Sequence, residues 1–194
     1  MTDLRGIIFD CDGTLADTMP VHYEAWRDAL NHYQLELSED RFYALGGWPT
    51  RAIIELLGRE TGRSLDIDEI AEYKETAFQD RLDHVRPIEP VVNVVQEYRG
   101  KLPLAVATGA TRPILVRILS HIHLGDAFEA QVCSEDVPRH KPNPDVFLEA
   151  ARQIGIEPRY CRVYEDTDPG VEAARRAGMA FVDVRTFFTP RRVT

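Results

Sequence analysis

Long apolar runs are missing from this chain. No stretch of its 194 residues approaches the ~18 consecutive apolar residues of a membrane span, so a soluble protein is expected. The first apolar run is broken at Asp10, before a secretory h-region can form, which points to a cytoplasmic location. Cysteine is scarce. Cys11, Cys133 and Cys161 are an odd number with no Cys-x-x-Cys spacing, and their expected role is buried, reduced thiol. The histidines form no metal-ligand grouping, and His121 and His123, two apart near a helix end, cannot face one another. Positive charge is in deficit. With 23 Lys and Arg against 32 Asp and Glu, the net charge of −9 argues against a nucleic-acid binder, which would need a basic face. A small anionic substrate is not excluded, because local cations can invert the field inside a site. Internal repeats and low-complexity tracts are also absent.

What is present suits a folded enzyme-sized domain. Apolar content of 44% is ordinary for a globular core, and the length fits one main domain or a main domain with a small insert. Five short β-like runs fall at 5–10, 103–108, 131–134, 160–164 and 180–184. Helical patterns separate most of them, which predicts parallel strands joined by crossover helices. The spacing predicts helices over 91–98, ending at Gly100, and over 112–122, with Ile114, Leu115, Ile118, Leu119 and Ile122 on one face. Two more are expected at 144–154, capped by Asn143, and at 169–177, capped by Asp168.

Residues 17–85 differ in kind. They contain no convincing strand and predict four helices near 18–33, 38–45, 50–60 and 67–83. Such a block is too large for a simple crossover. It reads as a helical subdomain at 17–85 inserted into an α/β core of 1–16 and 86–194.

The chemistry is concentrated where strands end. Residues 7–14 run Ile-Ile-Phe-Asp-Cys-Asp-Gly-Thr, so Asp10 and Asp12 share a face at the end of the first strand. Crowded carboxylates repel unless a cation or a shared proton relieves them. An Asp-x-Asp-Gly turn can also simply end a strand. A calcium loop is rejected, because counted from Asp10 its Gly and Glu positions hold Leu15 and Val21. Ligands of open parallel sheets bind beyond the carboxyl ends of the strands, and each later strand brings something useful there. The second ends in Thr108-Gly109-Ala110, a hydroxyl and a small turn able to present N–H groups to an anion. Lys141 follows the third, and Glu165-Asp166-Thr167 closes the fourth. Singly these read as a turn residue, a surface charge and helix-start carboxylates. Together they form a set suited to phosphate and a hard divalent cation.

With Asp10-Cys11-Asp12-Gly13-Thr14, Thr108, Lys141 and Glu165-Asp166 in this order, the chain resembles the haloacid dehalogenase superfamily over nearly its whole length. The helical insert is similar to the cap of the β-phosphoglucomutase-like branch. The stretch from Asp17-Thr18 through His22 to Ala25-Trp26, with Gly46 to Arg51, resembles that branch's sugar-phosphate phosphatases and hexose-phosphate mutases. The whole is most similar to small bacterial fructose-1-phosphatase-like proteins. The resemblance implies a Mg²⁺-dependent phosphatase, with Asp10 as nucleophile and Asp12 as acid–base. It implies metal binding by Asp10, Asp166, the Asp12 carbonyl and Glu165, the last directly or through a neighbour. Thr108, Gly109 and Lys141 would hold the phosphoryl group. Thr18, His22, Arg51 and Lys74 would serve cap closure or substrate contact, with Trp26 in the cap core. Dehalogenases of the superfamily work without the second aspartate and P-type ATPases carry Lys after the nucleophile, so Asp12 and Cys11 favour phosphate esters. A phosphorylated sugar is the implied partner, a phosphohexomutase the alternative activity, and a monomer the expected state.

Overall fold

A computed structural model of the protein describes residues 3–46 and 48–193. The chain divides into two compact units, Met1–Thr18 with Val85–Pro190, and Met19–His84 with Arg191–Thr194.

The first unit is built on five parallel strands, β1 (Gly6–Phe9), β4 (Leu104–Ala107), β5 (Ala130–Val132), β6 (Cys161–Glu165) and β7 (Ala180–Asp183), in the order β5-β4-β1-β6-β7. β1 lies at the centre, with Ile8 opposite Ala105 on one side and Val163 on the other. Both faces of the central strands are covered, which is why their sequences are continuously apolar. Ile8, Ala105, Ala107 and Val163 join Val146, Phe147, Ala150 and Ala173 in one core cluster. Ile7, Phe9, Leu104 and Val106 point the opposite way and are equally buried. The crossover helices are α5 (Glu89–Tyr98), α6 (Arg112–His121), α7 (Asp145–Gln153) and α8 (Asp168–Arg176). A two-residue antiparallel ribbon, β2 (Ala16–Asp17) with β3 (Arg86–Pro87), joins the two segments of the first unit and is too short to leave a periodic signal.

Two helix starts differ from expectation. Pro144, rather than Asn143, occupies the cap position of α7, and the Asn143 side chain donates to the His140 carbonyl instead, at 3.1 Å. In α8 the cap is Thr167, whose Oγ1 accepts the Gly170 N–H at 3.1 Å, and Asp168 is already helical. Adjacent polar residues are nearly equal cap formers, and backbone angles decide between them.

The second unit holds α1 (Met19–His32), α2 (Glu39–Ala44), α3 (Thr50–Thr61) and α4 (Ile67–Gln79). α4 ends earlier than the spacing predicts, and Leu82–His84 forms a separate 3₁₀ turn. Trp26, Leu30, Phe42, Ile54, Leu57 and Ile70 make the core of this unit. The C-terminal tail completes it. Val193 packs on that core and donates its N–H to Glu39 Oε1 at 2.8 Å, while Arg192 pairs with Asp40 at 3.1 Å and lies over the Tyr43 ring. Glu39 is only 7% exposed, an unusual place for a carboxylate, and the tail supplies it with a donor. Among the described residues no helix is long and apolar enough to cross a membrane.

Candidate active site

Asp10 follows the central strand, where its N–H continues the ladder to the Tyr164 carbonyl at 3.0 Å. The chain then turns tightly: the Cys11 carbonyl accepts from the N–H groups of Thr14, Leu15 and Ala16, and Gly13 donates to Ala16 at 2.8 Å. Gly13 has φ +79°, a conformation glycine alone adopts without strain. It also has no room for a side chain, because a methyl group there would overlap the Asp166 carboxylate. Thr14, fully buried, donates its hydroxyl to Asp166 Oδ1 at 3.1 Å. The loop after β1 is thereby fitted to the loop after β6.

Lys141 ties the site together. Its Nζ donates to Asp10 Oδ1 at 2.6 Å and to Glu165 Oε1 at 2.8 Å, and lies over the Phe147 ring at 4.8 Å. Glu165, 1% exposed, has its other oxygen bound by the Thr167 N–H at 2.5 Å and the Thr167 hydroxyl at 3.0 Å. Asp10, Glu165 and Asp166 offer carboxylate oxygens that all lie within 4.8 Å of one another.

Charge is crowded here. Burial, helped by Glu165 and Asp12, pushes the Asp10 carboxyl up to about 7 against the pull of Lys141. Burial and the charges of Asp10 and Glu165 raise Asp166 well above the usual carboxylate range. Burial opposes charge on Lys141 too, but its two carboxylate partners outweigh that and raise it above the ordinary lysine value. One ammonium therefore lies among three carboxylates, and Asp10 and Asp166 would ionise more readily beside further positive charge. Hard oxygen donors in this state fit a divalent cation such as Mg²⁺.

The remaining candidates fall into two groups. Asp12, half-buried, and Thr108, 1% exposed, belong to the same unit as the cluster. Thr108 Oγ1 accepts the Ala110 N–H at 3.0 Å, and Gly109 between them is exposed. Thr18 lies in this unit as well, fully buried at the end of the β2 segment. His22, Arg51 and Lys74 belong to the helical unit. Lys74 is 4% exposed, and its Nζ meets His22 Nδ1 at 3.1 Å and Glu75 Oε2 at 3.1 Å. The His22 ring stacks flat on Phe78 at 3.8 Å, which fixes its orientation. Arg51 does not join this pair. It is exposed and paired with Asp68. Gly47, inside the 46–51 stretch, lies outside the described residues. Trp26 sits in the core of the helical unit. Sequence reasoning did not find the parts played by Thr14 and Thr167. Each hydroxyl stands one or two residues from a carboxylate in the sequence motif, but its partner is set by the turn.

A buried network of opposite charges at the carboxyl edge of a parallel sheet stands where α/β enzymes place their active sites. Comparison with known proteins narrows that class. Residues 7–184 match the haloacid dehalogenase-like hydrolase family, and the chain belongs to it. It is 42% identical over 181 residues to the fructose-1-phosphate phosphatase YqaB of Escherichia coli, covering 93% of this chain and 96% of that protein. To the phosphorylated carbohydrates phosphatase of Thermotoga maritima it is 31% identical over 180 residues, covering 91% and 82%. Among solved structures, a hydrolase from Pseudomonas syringae superposes with a TM-score of 0.79 at 26% identity, covering 95% of this chain and 87% of the other.

Proposed function

We propose that the protein is a Mg²⁺-dependent phosphatase that hydrolyses a small sugar phosphate, a hexose phosphate such as fructose 1-phosphate, through an aspartyl-phosphate. The observation that carries this reading is the Lys141 ammonium held between Asp10 and Glu165, beside a third carboxylate, at the strand ends. The substrate class draws support from the 42% identical relative, whose name specifies fructose 1-phosphate.

In this mechanism a carboxylate oxygen of Asp10 attacks phosphorus, the P–O bond to the sugar breaks, and Asp12 protonates the departing alkoxide. Asp12, now a carboxylate, takes a proton from water, whose oxygen attacks the same phosphorus. Inorganic phosphate leaves and the Asp10 carboxylate is restored. Lys141 holds Asp10 in place and balances charge on the phosphoryl oxygens, with Thr108 and the N–H groups around Gly109 as neutral donors. Asp10, Asp166 and Glu165, with the Asp12 carbonyl, would hold the Mg²⁺, which when bound supplies positive charge to the transferred group. His22 and Lys74 would contact the sugar phosphate, and Arg51 would do so on leaving Asp68.

The test is a panel of phosphorylated sugars assayed with and without Mg²⁺. Phosphate release from a hexose phosphate, lost on chelation and restored by Mg²⁺, is expected. No release above background would overturn the reading. Isomer formation in the presence of a sugar bisphosphate, without release, would assign a mutase instead.

A further inference from the structure

Gly170 stands in the first turn of α8, a place where helix propensity favours almost any other residue. Its φ is unremarkable, so backbone conformation does not require glycine. The space does. A methyl group built on Gly170 would overlap the Glu165 carboxylate, Oε1 first, then Cδ and Oε2. That carboxylate is folded back over the helix start and nearly sealed from solvent, at 1% exposure. Thr167 fastens it there twice, through N–H and hydroxyl, and the same hydroxyl oxygen accepts the Gly170 N–H. The remaining oxygen of Glu165 then faces Lys141 Nζ at 2.8 Å, and Lys141 faces Asp10 at 2.6 Å.

We propose that Gly170 is a positioning residue for the transfer site: the side chain it lacks is the space in which Glu165 is held against Lys141, and through Lys141 the space sets Asp10. The proposal rests on the phosphatase reading for its consequence in rate, but its geometry stands apart from substrate. Glu165 is a flexible side chain, so a methyl at 170 displaces its tip rather than the sheet. The cost falls on alignment, and misplacement by about 1 Å can cost about 100-fold in rate.

The experiment is a double-mutant cycle of Gly170→Ala and Glu165→Asp, with a crystal structure of Gly170→Ala. Gly170→Ala should keep its secondary structure and lower kcat/KM by about 10- to 100-fold. Glu165→Asp should also lower it in the parent. Because Asp is one methylene shorter and clears the added methyl, adding Glu165→Asp to Gly170→Ala should raise kcat/KM, a reversal of sign that helix packing alone would not produce. In the crystal the Glu165–Lys141 contact should be broken. Parent-like kcat/KM in Gly170→Ala, or the same cost of Glu165→Asp in both backgrounds, would overturn the proposal. Should Gly170→Ala not fold, a folded and active double variant supports it and an unfolded one overturns it. Should the parent release no phosphate, the phosphatase reading fails alone, and the position of Glu165 in the crystal still decides this one.

Discussion

The two units handle buried charge in opposite ways. In the α/β unit the side chains of residues 10, 141, 165 and 166, brought together by parallel strands, leave three carboxylates around one ammonium. In the helical unit Lys74 is buried more deeply than Lys141, and it rests against His22, Glu75 and the face of Phe78. The first arrangement is left with an excess of buried carboxylate. The second is locally satisfied. Under the phosphatase reading the difference separates the place of transfer from one of recognition, and substitution on each side tests it.

The largest effect is expected from Asp10→Asn, a loss of ~10³-fold or more in kcat under the phosphatase reading. The same change should stabilise the metal-free protein. The Asp10 carboxyl is pushed up to about 7 in the fold against an ordinary 3.8, so its contribution is complete below the lower value and lost as pH rises through the higher. Chemical denaturation without metal should show the parent losing stability between those values. Asp10→Asn should lose less and stand above it by ~1–3 kcal/mol at pH 8. A variant less stable than the parent there would contradict the crowding described for the site.

Lys74→Met tests the other side. The substitution keeps length and removes a buried charge whose partners are His22 and Glu75, so stability should move by no more than about 1 kcal/mol. Under the recognition reading kcat/KM for the preferred sugar phosphate should fall ~10-fold, with an aryl phosphate little affected. Equal losses on both substrates would place Lys74 with the transfer chemistry. The smallest effect should come from deleting 191–194, which removes the donor to Glu39 Oε1 and the packing of Val193. Thermal unfolding should show a loss of ~1–2 kcal/mol. No change would mean that the Val193 amide adds nothing to the burial of Glu39.

Much of this was legible in the sequence. Apolar runs ending abruptly in Asp10, Thr108 and Glu165 gave both the strands and the edge at which they converge, because a parallel strand buried on two faces has little other reason to stop in a polar residue. The helices of 17–85 showed through their 3.6-residue spacing. What stayed hidden was pairing across distance. Thr14 reads as one more turn residue until the loop after β6 sets Asp166 beside it, and Lys141, placed in the site by its company, gives no sign in sequence that it holds both Asp10 and Glu165. The caps of α7 and α8 were each placed one residue off, and the β2–β3 ribbon was invisible. The helical unit's use of residues 191–193 left no trace in any local pattern.

That tail bears on how the helical unit could be inherited or exchanged. Its core is assembled from two pieces of chain separated by more than a hundred residues, Met19–His84 and Arg191–Thr194. A segment cut at 19 and 84 and grafted onto another scaffold would carry all four helices and leave Glu39 without the amide that meets it. The unit is therefore not a clean cassette. Recombination at its two obvious junctions would forgo that contact, and a chimera keeps it only by carrying residues 191–193 along.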